Sequence, residues 1–175
     1  MAFMAKQRAQ KHYNAGTRIL VNPHPSSSPQ KDLAQAIKHL QKAVELDPGF
    51  AYAFHNLAQA WYTVAEGFVA ATSSQKFWAN VYSGKGFMKD SQDVEDFIRC
   101  ALQSALDAVD QALAIRYEFP QAHNTRAMVL AKLGRLDEAI EASEVALLQA
   151  PDYRNAIDNR EKMKELRRQS TIRGV

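Results

Sequence analysis

The chain has 175 residues, of which 46% are apolar and 23% charged, and a net charge of +3, a composition that suits one globular domain with a sizeable core. It holds no apolar run of about 18 residues and no charged, then apolar, then small-residue leader, so neither a membrane-spanning helix nor a secretory signal is expected and a cytoplasmic location is. Its one cysteine, Cys100, excludes an internal disulfide and fits a reducing compartment.

Charge is spread unevenly. Residues 1–31 carry Lys6, Arg8, Lys11, Arg18 and Lys31 and no acid, and the stretch from Arg154 onward carries seven Lys/Arg against Asp158, Glu161 and Glu165. Residues 32–153 are acidic in balance, with ten bases against sixteen acids. The two ends read as solvated helices or as contacts for an acidic partner or anionic surface. An acid-free, Ser-containing start also fits a transit peptide, but the same residues carry the repeat pattern described next.

A first helix is expected over Ala5 to Val21. Asn22-Pro23-His24-Pro25-Ser26-Ser27-Ser28-Pro29 follows, and its prolines predict an extended loop over 22–30. Asp32-Leu33-Ala34-Gln35-Ala36-Ile37 opens a second helix that closes through Ala43, Leu46 and Asp47 at Pro48. A third helix starts at Ala51, with Phe54, Leu57, Ala58 and Trp61 in packing positions. Val94, Phe97, Ile98, Ala101, Leu102, Ala105, Val109, Ala112 and Leu113 form one unbroken stripe, which predicts a long helix from about Ser91 to Arg116 with Asp90 or Ser91 as its N-cap and Cys100 on an apolar face. Pro120 to Tyr153 then forms a 34-residue unit with Ala127, Leu130, Gly134, Ala139, Ala146 and Pro151 at fixed offsets. Gly134 is the expected left-handed stop of its first helix. Arg154 to Arg168 reads as a last helix with Ala156, Ile157, Met163 and Leu166 on a narrow apolar stripe.

These offsets resemble the tetratricopeptide-repeat (TPR) family: a small eighth residue, Gly at the fifteenth, Ala at the twentieth and twenty-seventh, Pro at the thirty-second. His123 and Ser143 depart from the bulky residues usual at the fourth and twenty-fourth positions. His12-Tyr13-Asn14-Ala15-Gly16 fits the fourth to eighth positions of an earlier copy. The resemblance implies an all-α, right-handed superhelical stack of antiparallel helix pairs, about three repeats plus a capping helix. Repeat one is expected at 5–50, repeat two at 51–119 with an insert at 66–99, repeat three at 120–153, and the cap at 154–170. Ala36 and Ala105 lie 69 residues apart, one period plus 35 extra residues. The extra residues read as a long helical hairpin, bent at Ser83-Gly84-Lys85-Gly86, or as a degenerate fourth repeat.

No reactive constellation stands out, and no cofactor, metal or catalytic residue is expected. The five histidines include no pair at the three- or four-residue spacing that shares a helix face, Ser83-Gly84-Lys85-Gly86 lacks phosphate-loop spacing, and Asp93, Glu95 and Asp96 suit a helix N-terminus. The resemblance instead implies a non-catalytic scaffold or adaptor whose concave groove, walled by first helices, binds a partner protein. Its lining positions would be Tyr13, Thr17, Leu20, Tyr52, His55, Asn56, Gln59, Tyr62, Gln121, Asn124, Thr125 and Met128. A chaperone-tail carboxylate clamp is not expected, because only Asn56 matches its Lys and Asn, then Asn, then Lys and Arg pattern. Tyr13, Thr17, Gln121 and Thr125 stand where the other clamp residues would be, leaving a carboxylate unpaired. Phe68, Phe77, Trp78, Tyr82, Phe87 and Met88 form an aromatic cluster in the insert, expected as a second docking surface. The alternative is a peripheral membrane-associated assembly factor using the insert and the basic termini. Nucleic acid is the weaker partner, because the middle of the chain is acidic.

Overall fold

The computed structural model describes residues 2–22, 28–70 and 91–173. Seven helices and no strand occur among the described residues: α1 (Ala2–Val21), α2 (Pro29–Leu46), α3 (Ala51–Ala70), α4 (Ser91–Ile115), α5 (Pro120–Lys132), α6 (Leu136–Gln149) and α7 (Arg154–Arg173). They pack as consecutive antiparallel pairs, α1 with α2, α3 with α4 and α5 with α6. Each pair then stacks on the next through α2 against α3 and α4 against α5, and α7 closes over α6. The all-α repeat architecture read from the spacing is the architecture of the chain.

Small residues set the crossings. Ala36, Ala105 and Ala139 have no exposed surface, and neither do Ala43, Ala112 and Ala146 seven residues later. Their partners on the first helices are Gly16, Ala58 and Ala127, also buried. At Gly16 the approach is closest: a Cβ there would lie 2.8 Å from Leu40 Cγ and 3.1 Å from the Ala36 carbonyl oxygen. Ile37, Leu40, Val64, Val109, Val129 and Leu130 fill the space between crossings and are fully buried. Burial of such side chains contributes about 1.5–3 kcal/mol each.

Local chemistry ends the helices where the sequence predicts. Gly134 adopts φ 79°, with its N–H on the Ala131 carbonyl (3.1 Å) and the Arg135 N–H on the Leu130 carbonyl (2.9 Å). This paired closure satisfies two carbonyls that the end of α5 would otherwise leave open. Asp47 caps α2 through its N–H to the Ala43 carbonyl (2.9 Å), while its Oδ1 accepts from the Gly49 N–H (3.2 Å).

Four expectations need correction. Pro29 is not loop but the first residue of α2, where its fixed φ suits a helix start and no N–H is needed; Ser28 caps it, its Oγ accepting from the Lys31 N–H at 3.3 Å. Cys100 is exposed, because it lies beside the buried stripe of α4 rather than within it. Leu166 is half exposed, since α7 outruns the shorter α6 that covers Ala156 and Met163. The closing helix extends to Arg173 rather than ending near 170. Within 91–115, α4 runs unbroken and, among the described residues, makes its most extensive packing with α3. The proposed bend at 83–86 and N-cap Asp90 lie outside the described residues, as does the side chain of Ser91.

Candidate functional site

The inner wall is built from the first helices α1, α3 and α5, followed by α7. Side-chain hydrogen bonds tie each to the next. Asn56 Nδ2 of α3 donates to Thr17 Oγ1 of α1 at 3.0 Å. His55 of α3 meets Thr125 of α5, Nε2 to Oγ1, at 3.1 Å. Thr125 Oγ1 already donates to the Gln121 carbonyl (3.0 Å), so it accepts here and His55 carries its proton on Nε2. Asn159 Nδ2 of α7 donates to Asn124 Oδ1 of α5 at 3.0 Å. The polar residues expected to await a partner therefore brace neighbouring repeats. His55 and Asn124 are 7% and 4% exposed, so little of either is left to a partner, whereas Thr125, 5% exposed, also borders the cavity described below.

Burial holds His55 low, at about 4, against a weaker upward pull from the Gln121 backbone. It is a neutral strut at physiological pH. His123, one of the departures from the repeat pattern, is likewise buried: its Nε2 donates to the Tyr117 carbonyl at 2.9 Å and its ring stands edge-on to Tyr117. Ser143, the other departure, donates to the Ala139 carbonyl at 3.1 Å, so a polar side chain fits a fully buried site.

The aromatics of the wall divide. Tyr13 is half-buried and stacks on Phe50 with ring centroids 4.7 Å apart. Tyr52 is exposed, edge-on to Phe119 at 5.1 Å, and its hydroxyl meets Arg116 Nη1. The Arg116 guanidinium lies over both rings, 5.2 Å from the centroid of Tyr52 and 5.3 Å from that of Phe119. Tyr62 is half-buried, and its hydroxyl is pushed up to about 12, by burial first and then by Glu66 beside it. Glu66 also pairs with Lys132 of α5 at 2.5 Å.

A cavity of about 660 Å³ opens between the C-terminal half of α1, the start of α2, α3 and α5. Leu20, Val21, Leu33, Tyr62, Val64 and Met128 supply most of its apolar wall, and Gln30, Asp32, Gln59, Thr63 and Thr125 its polar positions. Gln121 is exposed on the same wall but outside the cavity. The structure thus brings Leu20, Gln59, Tyr62 and Met128 together and diverts His55, Asn56 and Asn124 into bracing. Leu33, Val64 and Asp32 were missed; the start of a second helix, α2, was not expected in the groove wall. Of the insert cluster, Phe77, Trp78, Tyr82, Phe87 and Met88 lie outside the described residues, as does the side chain of Phe68.

One pairing had no signal in local spacing. His12 and His39 are 27 residues apart and face each other across α1 and α2, Nδ1 to Nδ1, at 3.1 Å. One ring must donate and the other accept. Burial first, and then the charges of His12, Lys38 and Arg18, keep His39 below the ordinary histidine range. Among the described residues no three His, Cys, Asp or Glu side chains converge as a metal site would require, and no helix is long and apolar enough to cross a membrane.

Comparison with known proteins follows this geometry. The family profile described as TPR repeat matches residues 30–64, which span α2 and most of α3, and that described as tetratricopeptide repeat matches residues 120–153. No curated protein sequence matches the chain. Among solved structures, the Arabidopsis OM64 TPR domain superposes with a TM-score of 0.65 at 15% identity, covering 92% of this chain and 98% of that one. The first TPR of Spaghetti (RPAP3), bound to the HSP90 peptide SRMEEVD, gives 0.63 at 17% identity over 92% and 94%. The second TPR domain of human RPAP3, in complex with the HSP70 peptide SGPTIEEVD, gives 0.59 at 16% identity over 94% and 98%. At such identities the likeness is one of fold.

Proposed function

As a protein built on tetratricopeptide repeats, this chain is, we propose, a non-catalytic scaffold or adaptor that holds a segment of another protein in its concave groove. The observation that carries this reading is the open cavity among Leu20, Gln59, Tyr62 and Met128 on the inner wall. Two structural neighbours hold chaperone peptides, which supports a polypeptide as the occupant. An apolar floor with Gln and Thr at the edge suits a segment that inserts one or two apolar anchors and hydrogen-bonds around them.

The wall does not suit an acidic chain terminus. Where a clamp would place cations, it presents Tyr13, Gln121 and Thr125, and Asn56 is already committed to Thr17. A carboxylate buried there would lose its water without gaining a cation. The aromatic insert remains a proposed second docking surface, on the sequence pattern alone.

The test uses fluorescence anisotropy on the full chain. The peptide SRMEEVD is expected to show no saturable binding. Peptides selected from a random displayed library are expected to share an apolar anchor and to lose binding about tenfold or more when Met128→Lys is combined with Gln59→Arg. Selected binders indifferent to that change, or tight binding of SRMEEVD, would refute the groove as read here.

A further inference from the structure

One junction between repeats carries a cation where the others do not. The helices α3, α5 and α7 are each preceded by an aromatic residue, Phe50, Phe119 and Tyr153, so that aromatic belongs to the repeat packing. Three residues before it stand Asp47, Arg116 and Ala150 in turn. The second residues of the same helices are Tyr52, Gln121 and Asn155, of which only Tyr52 is aromatic. Arg116 and Tyr52 together therefore exceed what the stacking of repeats requires.

Arg116 is exposed, yet held on several sides. Its guanidinium carbon lies 5.2 Å from the Tyr52 ring centroid and 5.3 Å from that of Phe119. Its Nε donates to the Glu118 backbone carbonyl at 3.1 Å, and its Nη1 donates to the Tyr52 hydroxyl. Phe119 is fixed in turn, 4% exposed with its ring 4.8 Å from that of His55. A guanidinium has five N–H groups. The three not used here, both on Nη2 among them, have no partner among the described residues, and no carboxylate lies within ion-pairing reach. Arg126, Arg135, Arg160 and Arg167, by contrast, each meet an acid.

Such an edge suits a carboxylate, which can take two parallel hydrogen bonds from a guanidinium. A side chain already stacked on aromatic rings also loses little freedom when it binds. The position fits the groove. Tyr52 is exposed near the start of α3, and Gln59, Tyr62 and Thr63 of the same helix line the cavity further along it. At a rise of about 1.5 Å per residue they lie roughly 10–17 Å from Tyr52. An extended segment covers that distance in about three to five residues.

We propose that Arg116 is a second anchor point of the groove, which takes the carboxylate of an Asp or Glu carried three to five residues from the apolar side chain that fills the cavity. The inference rests on the groove reading above and adds the sign and spacing of the partner's charge. SRMEEVD has an aspartate four residues after its methionine, but its two glutamates follow the methionine directly, over the cavity wall that holds Asp32, so it stays a poor ligand.

The probes are library peptides that bind the full chain and lose binding with Met128→Lys combined with Gln59→Arg, labelled and titrated at low and physiological salt. Each is expected to hold an Asp or Glu at the stated spacing. Replacing that acid by Asn or Gln should weaken binding about five- to tenfold at low salt and less at physiological salt. Arg116→Gln should cost the same factor, and both changes together no more than either alone. Arg116→Lys keeps the charge without the planar fork and should fall between. Arg116→Glu should regain affinity for a peptide whose acid has become Lys, a result that a purely structural stack on Tyr52 could not give. The helical circular-dichroism signal of these variants should match the parent, since the side chain is exposed. Groove-bound peptides that lack such an acid, or are indifferent to Arg116→Gln, overturn this proposal and leave the groove reading standing. A library that yields no groove-bound peptide overturns both.

Discussion

Repeat three and repeat one are built on the same offsets yet occupy different physical situations. In repeat three, α5 is covered on one side by α4 and on the other by α6 and α7, so Leu130 and Val129 are fully buried and even the polar His123, Asn124 and Thr125 are enclosed. In repeat one, α1 has α2 on one side and a cationic face on the other, and its polar inner residues, Tyr13 and Thr17, stay half open. The connection differs too. A single left-handed Gly134 turns the chain between α5 and α6, whereas α2 opens on a Ser-Pro start at Ser28 and Pro29, and Pro29 lines the cavity. The same small-residue code therefore sets how two helices cross, while the position in the stack decides what each repeat can offer a partner.

The comparison breaks first at the core. Leu130→Ala removes a fully buried side chain from a repeat packed on both sides, and about 3–5 kcal/mol should be lost in a urea titration; Leu40→Ala at the open end should cost less, about 2–3 kcal/mol, because its surroundings relax more freely. Equal losses would mean that repeat one is enclosed as fully as repeat three.

Acid should act next, and at the interior junction. His55 is held at about 4 against 6.5 for the free side chain, so the unfolded chain binds a proton that the folded chain refuses. Stability should be unaffected above pH 6.5 and decline as the pH falls towards 4, by about 1.4 kcal/mol per unit, levelling off below. His39 and His123, both lowered chiefly by burial, act in the same direction. His55→Gln should flatten the pH dependence of the urea midpoint; an unchanged slope would show that His55 is not the responsive strut.

The smallest effect sharpens the difference in helix approach. Gly16→Ala drives a methyl group against Leu40 and the Ala36 carbonyl, although Ala is normally the better helix former, and about 1–2 kcal/mol should be lost. Repeat three already carries Ala127 at this position. If Gly16→Ala proved stabilising in a thermal melt, α1 and α2 would sit no closer than α5 and α6.

Much of this was legible in the sequence because it is local or periodic. Small residues recurring at a fixed spacing must fall at equivalent helix crossings, Gly134 was the residue able to adopt a left-handed stop cheaply, and the unbroken stripe from Val94 to Leu113 had no residue that could interrupt a helix. The candidate site was legible only in part. Gln59, Tyr62 and Met128 were placed on the wall and line the cavity, but His55, Asn56 and Asn124 have the same polar, groove-facing pattern and are spent on Thr125, Thr17 and Asn159.

The sequence by itself determined the helices, their pairing and their crossings, since each depends on side-chain size and backbone freedom within one repeat. Only the tertiary structure decided which polar side chains are consumed between helices, that His12 meets His39, and that Lys164 and Arg167 of the closing helix find acids on the helix before it. Those outcomes depend on how one helix is rotated against another, within a repeat as at His12 and His39 or between repeats as at His55 and Thr125, and such contacts join residues tens of positions apart, where no periodic pattern in the chain records them.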